Sequence, residues 1–178
     1  MGFLFLYLLD KNKNKILINK KIKNGKMIDK RKIIVKTAKE EDIPHMVKLL
    51  KELFEIEKDF KPNEEKQKNG LNLLLNSKNA KIFVAKYNNL VVGMCSIQLL
   101  ISTAEGGKVG ILEDLIVDKN FRGEGIGSRL LSEVEKYCKE NNITRLTLLA
   151  DKDNTKAIKF YNSKNWRFTN LIVLRKFI

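Results

Sequence analysis

Two short stretches of this chain hold residues whose types and spacing can do chemistry. The first, Arg122-Gly123-Glu124-Gly125-Ile126-Gly127 followed by Ser128, lies between a strand-like run and an amphipathic helical one. Glycines there let the backbone approach a ligand closely, and the first-turn N–H groups of the following helix lack acceptors of their own, which makes an anion nest. The helix dipole favours negative charge at this end and Arg122 can add charge-assisted bonds, so a phosphate-rich ligand uses all three features. A tight strand-to-helix turn is the bland alternative for such a loop taken alone. The dinucleotide pattern GxGxxG lacks its last glycine, since Ser128 follows Gly127, and no GK[ST] is present for a P-loop.

The second stretch is the pair Glu113-Asp114, just upstream of that loop. On a strand, adjacent side chains point to opposite faces, so alternation allows one of the two to face a crevice and does not choose between them. Farther along, Tyr161 follows Phe160 on an amphipathic segment and on its own reads as an aromatic core residue. Residues 52–65 gather six acids (Glu52, Glu55, Glu57, Asp59, Glu64, Glu65) against two lysines, a negative zone that reads either as a solvated helix face or as a cation site.

The elements that must position these residues follow from hydrophobic period and punctuation. Residues 32–37 (KIIVKT) read as a strand; Glu40-Glu41-Asp42 and Pro44 open a helix reaching about Asp59, with acids at its positive end. Pro62-Asn63-Glu64-Glu65 starts a second helix. Residues 81–87 and 90–101 form a hairpin about Asn88-Asn89, a turn pair that tolerates positive φ. Residues 108–118 form a further strand, and Ile126, Leu130, Leu131, Val134 and Cys138 mark one apolar face of the helix after the loop. A strand at 143–149, a helix capped by Asp153-Asn154 and running to about Ser163, and a last strand at 171–177 complete a βααβββαβαβ order. This is a mixed α/β class with a three-layer arrangement and a ligand crevice at the end of the 108–118 strand.

With 178 residues the chain suits one domain plus an extension, and its 43% hydrophobic and 31% charged composition excludes a wholly disordered chain or a disulfide scaffold. The formal charge of +14 raises nucleic acid as a partner, but 29 of the 35 basic residues are Lys and only 6 are Arg, and no aromatic-basic recognition motif accompanies them. Nucleic acid is therefore not the expected partner. Residues 1–31 read as an N-terminal extension and 32–178 as the domain. The opening FLFLYLL is too short to span a bilayer and lacks the flanks of a signal peptide, so no membrane partner and a cytoplasmic location are expected. Lys15–Ile28 alternates about Asn24-Gly25 as an added hairpin would; alternatively 1–26 lie upstream of the native start, with Met27 as a start. Removing them deletes seven Lys and one Asp and lowers the charge to +8. Cys95 and Cys138 have no CxxC spacing and His45 stands alone, so no metal site or His-based triad is indicated and both thiols are expected buried and reduced.

Arg122, Gly125 and Gly127 match [RQ]xxGx[GA], and in this the chain resembles the GNAT acetyltransferase superfamily. The likeness extends over about residues 32–170, through the element order, the Leu112-Glu113-Asp114 motif and the segment from Asn154 to Phe160-Tyr161. The resemblance implies acetyl-CoA as acyl donor, with no metal. It implies backbone contacts to the pantetheine arm from Leu115, Ile116 and Val117. The loop Arg122, Gly123, Glu124, Gly125, Ile126, Gly127 and Ser128 would bind the diphosphate, while Asn154 and Ala157 would border the pantetheine and acyl end. Tyr161 matches the family tyrosine near the thioester sulfur. The LED spelling is similar to that of diamine and polyamine acetyltransferases, where the Glu meets the amine, so Glu113 is the implied catalytic carboxylate and Asp114 the fallback. The first two helices line the acceptor site in this family, which makes Glu55, Glu57 and Asp59 candidate contacts to a cationic amine, small molecule or peptide. A homodimer is compatible with the family. Two other readings stay open: a protein- or ribosome-associated N-acetyltransferase or basic RNA-associated module, and a non-catalytic acyl-CoA-binding regulator. Asn165 stands where the family often has Gly before an aromatic; it tolerates the positive φ such a turn needs, and Trp166 is expected to pack.

Overall fold

The computed structural model describes residues 20–23, 26–57 and 59–178, with side chains from Ile28 onward. The apolar opening and the Asn24-Gly25 turn lie outside the described residues. Strands β1 (Lys20–Lys23) and β2 (Lys26–Asp29) pair antiparallel with Lys23 opposite Lys26. A 3-10 turn at Lys30–Lys32 follows, capped by the Asp29 carboxylate, which accepts from Arg31 N at 3.1 Å. It leads directly into β3 (Ile33–Thr37). Ile28 and Ile33, on either side of this turn, are both buried in the core, so packing begins at Ile28.

Helix α1 (Ile43–Phe54) starts on Pro44 and buries Ile43, Met46, Val47, Leu49 and Leu50 along one stripe. Helix α2 (Glu64–Asn76) is capped by Asn63, whose Oδ1 accepts from Lys66 N at 3.0 Å. Strands β4 (Ala80–Tyr87) and β5 (Leu90–Ser102) are joined by Asn88-Asn89 at φ 49° and 67°, the left-handed pair a tight hairpin requires. Then come β6 (Gly107–Val117), α3 (Ile126–Glu140), β7 (Leu146–Leu148) and α4 (Thr155–Asn162). Among the described residues no helix is long and apolar enough to cross a membrane.

Five strands form one sheet in the order β3-β4-β5-β6-β7, antiparallel except for the parallel pair β6/β7, which α3 connects as a crossover. One sheet face, with Ile82, Val84, Met94 and Ile116, packs on α1 and Leu71 of α2. The other, with Phe83, Cys95, Ile97 and Leu112, packs on Ile126, Leu130, Leu131 and Val134 of α3. Helices thus cover both faces, the three-layer arrangement read from the sequence.

The last strand expected at 171–177 does not form. Leu171, Ile172, Leu174 and Phe177 are exposed, and Arg175 carries the tail to the α1–α2 connection, where it pairs with Asp59 at 3.4 Å and lies 4.8 Å from the ring centre of Phe60. Strand propensity measures fit to a neighbouring strand, and without a ladder partner a β-branched run stays irregular. The order from β3 onward is βααβββαβα.

Gly93 lets α3 sit close on the sheet. A methyl group there would lie 3.2 Å from Ile116 O, 3.2 Å from Ile126 Cγ2 and 3.3 Å from Leu130 Cδ1. Because one of the three is backbone, Gly93→Ala is expected to destabilise the fold by about 1–3 kcal/mol, as overpacking does. Urea denaturation checks this, and an unchanged midpoint would show that the α3 contact can relax freely.

Candidate functional site

The site begins where the sheet comes apart. β6 pairs with β7 only at Gly110, Ile111 and Leu112, opposite Leu146, Thr147 and Leu148. β6 itself continues to Val117 along β5, so its edge over residues 113–117 faces a gap on the β7 side. An extended ligand can add to such an edge as a strand would. Leu115, Ile116 and Val117, read from the sequence as backbone contacts, line it. The Ile116 side chain turns into the α1/α2 core and its carbonyl lies beside Gly93 of β5, so Leu115 and Val117 are the residues whose backbone faces the open side.

At the end of β6 the loop 118–125 leads into α3. Gly123 and Gly125 have φ of 86° and 79°, a region where a Cβ costs about 1–2 kcal/mol. Gly125 is the N-cap of α3 and brings no side chain to it. The first helical bond within α3 runs from Arg129 N to Gly125 O at 3.1 Å, so the amides of Ile126, Gly127 and Ser128 have no intrahelical acceptor. This is the donor set that a diphosphate fits, concentrated at the positive end of a 15-residue helix. The side chain of Ile126 is buried in the α3-side core and contributes only its amide. Arg122 is engaged within the chain: its Nε donates to Val117 O at 2.8 Å and its guanidinium pairs with Glu52 of α1 at 3.5 Å, tying the loop to both β6 and α1. Glu124 turns inward, its side chain fully covered, toward Lys30.

The carboxylates do not follow strand alternation. Ser96 pairs with Glu113 and Met94 with Ile116, so Asp114 and Leu115 together oppose Cys95 in a bulge, and Asp114 adopts φ 53°. Gln98 Nε2 donates to Glu113 Oε2 at 3.1 Å, and Ser96 Oγ lies 3.4 Å from Asp114 Oδ2. Ser96 and Gln98 are two apart on β5 and share a face, so the bulge brings both carboxyls to that same face. Burial, then the charges of Glu113 and Glu57, push Asp114 up to about 6 against an opposing hydrogen bond from Ser96. Glu57 is also raised, by burial first and then by Asp151, Asp59 and Glu113. Of the three predicted acceptor contacts, Glu57 therefore joins Glu113 and Asp114. Asp59 sits beside them paired to Arg175, and Glu55 is exposed at the C-cap of α1. Asp151 belongs to the group as well. The sequence reading did not single it out, since nothing in spacing alone links it to Glu57.

Tyr161 approaches from α4. That helix is capped by Asn154, whose Oδ1 accepts from Ala157 N at 3.1 Å, so these two residues fix its entry. Tyr161 packs between Phe160 and Trp166, with ring centres 5.3 Å and 5.8 Å away. Asn165 has φ 64°, and Trp166 N donates to Tyr161 O at 3.2 Å, which closes the turn as the sequence implied. Burial, followed by the Cys95 and Glu57 charges, raises the phenol to about 12. It stays protonated at neutral pH and is a hydrogen donor within electrostatic range of the carboxylate group. The gap in the sheet thus has amides without intrahelical acceptors at one end, carboxylates on the α1/α2 side, and a protonated phenol on the α4 side.

Such an arrangement suits acyl transfer between a phosphate-bearing donor and a nucleophile, and comparison with known proteins defines the class. The Acetyltransferase (GNAT) family matches residues 46–165, and the chain belongs to that family. It is an acetyltransferase. Over 135 residues it is 28% identical to an uncharacterized N-acetyltransferase of Archaeoglobus fulgidus, spanning 75% of this chain and 92% of that protein. Over 140 residues it is 27% identical to a thialysine N-epsilon-acetyltransferase of Sus scrofa, spanning 74% and 82%. The solved structure of an aminoglycoside acetyltransferase from an uncultured soil metagenomic sample, in complex with trehalose, superposes with a TM-score of 0.68 at 26% identity, covering 83% of this chain and 97% of that one.

The raised Asp114 has a measurable consequence. Its folded value of about 6 exceeds the unfolded one, so its contribution to stability is fully present below about pH 4 and lost as pH rises through about 6. Asp114→Asn removes that loss. The variant is expected to be more stable than the parent at pH 7.5, by about 1–2 kcal/mol, with the difference shrinking toward pH 4. Denaturant midpoints at the two pH values test this, and a difference independent of pH would show that the carboxyl does not titrate in that window.

Proposed function

We propose that this acetyltransferase moves the acetyl group of acetyl-CoA to the primary amine of a small cationic acceptor, polyamine-like or lysine-like, by direct attack in a ternary complex. The observation that carries the acceptor class is the convergence of Glu57, Asp59, Glu113, Asp114 and Asp151 on one opening of a chain whose net charge is +14. Like charges held together raise one another's pKa, and a cation relieves that repulsion. Similarity to a thialysine N-epsilon-acetyltransferase supports an amine at the end of an alkyl chain, and similarity to an aminoglycoside acetyltransferase supports a cationic one.

Acetyl-CoA supplies the acetyl group as a thioester. The amides of Ile126, Gly127 and Ser128, with Gly123 and Gly125 keeping the surface free of side chains, hold its diphosphate, and the open edge at Leu115–Val117 takes its pantetheine arm. An alkyl amine has a pKa near ~10 and is mostly protonated at neutral pH, so it must lose a proton before its lone pair can attack. Glu113, steadied by Gln98, meets the amine and accepts that proton, with Asp114 the second carboxylate beside it. As the C–N bond forms and the C–S bond breaks, Tyr161 donates its phenolic hydrogen to the departing sulfur, which makes the thiol a better leaving group, and the second proton lost by the nitrogen passes through solvent to restore the phenol.

Tyr161→Phe is expected to lower kcat by about a hundredfold, within the range of a lost general acid, while acetyl-CoA affinity by calorimetry stays within about threefold. Equal loss of both would place Tyr161 in binding rather than proton transfer. Across an acceptor panel assayed at steady state, diamines and lysine-like amino acids should exceed neutral amines in kcat/KM. Glu113→Gln should erase about tenfold of that preference, the effect of one charge lost at close range. Preference for neutral or anionic acceptors would overturn the cationic assignment.

A further inference from the structure

Glu124 is the one charged residue of the diphosphate loop whose side chain faces the interior. It is 3% exposed, its side chain is fully covered, and neither carboxylate oxygen takes a hydrogen bond among the described residues. The cation beside it is Lys30, whose Nζ lies 3.4 Å from Glu124 Oε2 while its own side chain remains 42% exposed. An unpaired carboxylate in such a place costs several kcal/mol, so Lys30 is what makes Glu124 tolerable there.

Residue 30 is itself a fixed point. Ile28 and Ile33 anchor the segment on both sides, and Asp29 clamps the intervening turn through Arg31 N at 3.1 Å and the Arg31 guanidinium at 2.9 Å. Arg129, in the first turns of α3, donates from Nη1 to Lys30 O at 3.2 Å. Two separate contacts therefore join residue 30 to the loop and helix that present the amides. On the loop side, Glu124 stands between Gly123 and Gly125, both at positive φ and without side chains to fix them. The side chain of Glu124 is the only one in that tripeptide that can set the direction of the backbone. A second effect is electrostatic, because an uncompensated carboxylate behind the amides would repel a diphosphate in front of them, and Lys30 neutralises it.

We infer that the Lys30–Glu124 ion pair is a positioning element that holds the diphosphate loop in its binding geometry, so that the segment just before β3 is part of the coenzyme site. The inference rests on the reading that this loop binds the diphosphate of coenzyme A. It assigns a role to a segment that the sequence pattern set outside the domain.

The test uses the full chain and coenzyme A in a calorimeter. Lys30→Met is expected to weaken coenzyme A binding by about five- to twentyfold, the scale on which small misplacement of a binding group acts, and Lys30→Arg to stay within about threefold of the parent because the charge is kept. Steady-state assays add a readout that general destabilisation does not move. In Lys30→Met, the ratio of kcat/KM for acetyl-CoA to that for S-acetylpantetheine, which has no diphosphate, should fall by about tenfold. Parent protein that binds no coenzyme A would sink the underlying site reading. Parent protein that binds while Lys30→Met binds equally well, or a Lys30→Arg variant as weak as Lys30→Met, or an unchanged donor ratio, would overturn the inference and leave the site reading standing.

Discussion

The arrangement of this molecule depends on one interruption in a hydrogen-bonded ladder. β7 is only three residues long and pairs with β6 over all of them, so beyond Leu112 β6 runs on along β5 alone. The bulge at Asp114-Leu115 adds local twist just past the last paired residue, Leu112, and so turns β6 away from its parallel neighbour. What remains is a row of backbone groups with no strand beside them, in the middle of a sheet rather than at its rim. An exposed edge of this kind is normally covered or blunted, because it invites pairing with any extended chain. Here the neighbouring elements frame it: α3 ends its first turn at one end, α4 and Tyr161 stand across it, and the α1–α2 connection brings Glu57 to the other face.

The same interruption organises the charges. Because the bulge puts Asp114 at positive φ, its carboxyl joins that of Glu113 over Ser96 and Gln98 instead of passing to the α3 side. Burial raises Asp114 and Glu57, and with two carboxyls on one face and Glu57 facing them from the α1–α2 connection, mutual repulsion adds to it. Tyr161 feels the same negative field in addition to its own burial, which holds its proton on. A proton acceptor and a proton donor of very different affinity therefore share one opening, which is the condition for moving a proton off an incoming nucleophile and another onto a leaving group.

Much of this is legible from the residues themselves. The helical periods of α1 and α3, the Asn caps of α2 and α4, the Asn88-Asn89 hairpin and the glycine loop each rest on interactions within a few residues, where local chemistry decides. The bulge was not legible, since Asp114 stands inside a strand-like run with no turn signal beside it and strict alternation predicts opposite faces for Glu113 and Asp114. Gly93 reads as an ordinary strand residue until α3 is seen lying against it. Lys30 and Glu124 are 94 residues apart and meet only through the tertiary fold. The strand expected at 171–177 failed for a related reason: LIVLRKF has the composition of a strand, but strand formation is a property of two segments, and the tail's Arg175 follows Asp59 instead.

Net charge also reads differently once the fold is known. A total of +14 taken alone directs attention to polyanions, yet the opening of the site is the most acidic region of the chain, and the lysines that dominate the count are spread along it. The two features are compatible, because charge acts locally and a chain that is basic in total can hold a cluster of carboxylates at one opening. They are also linked thermodynamically. Burial raises Asp114 first and the charges of Glu113 and Glu57 add to it, and a cation beside them would act in the opposite direction.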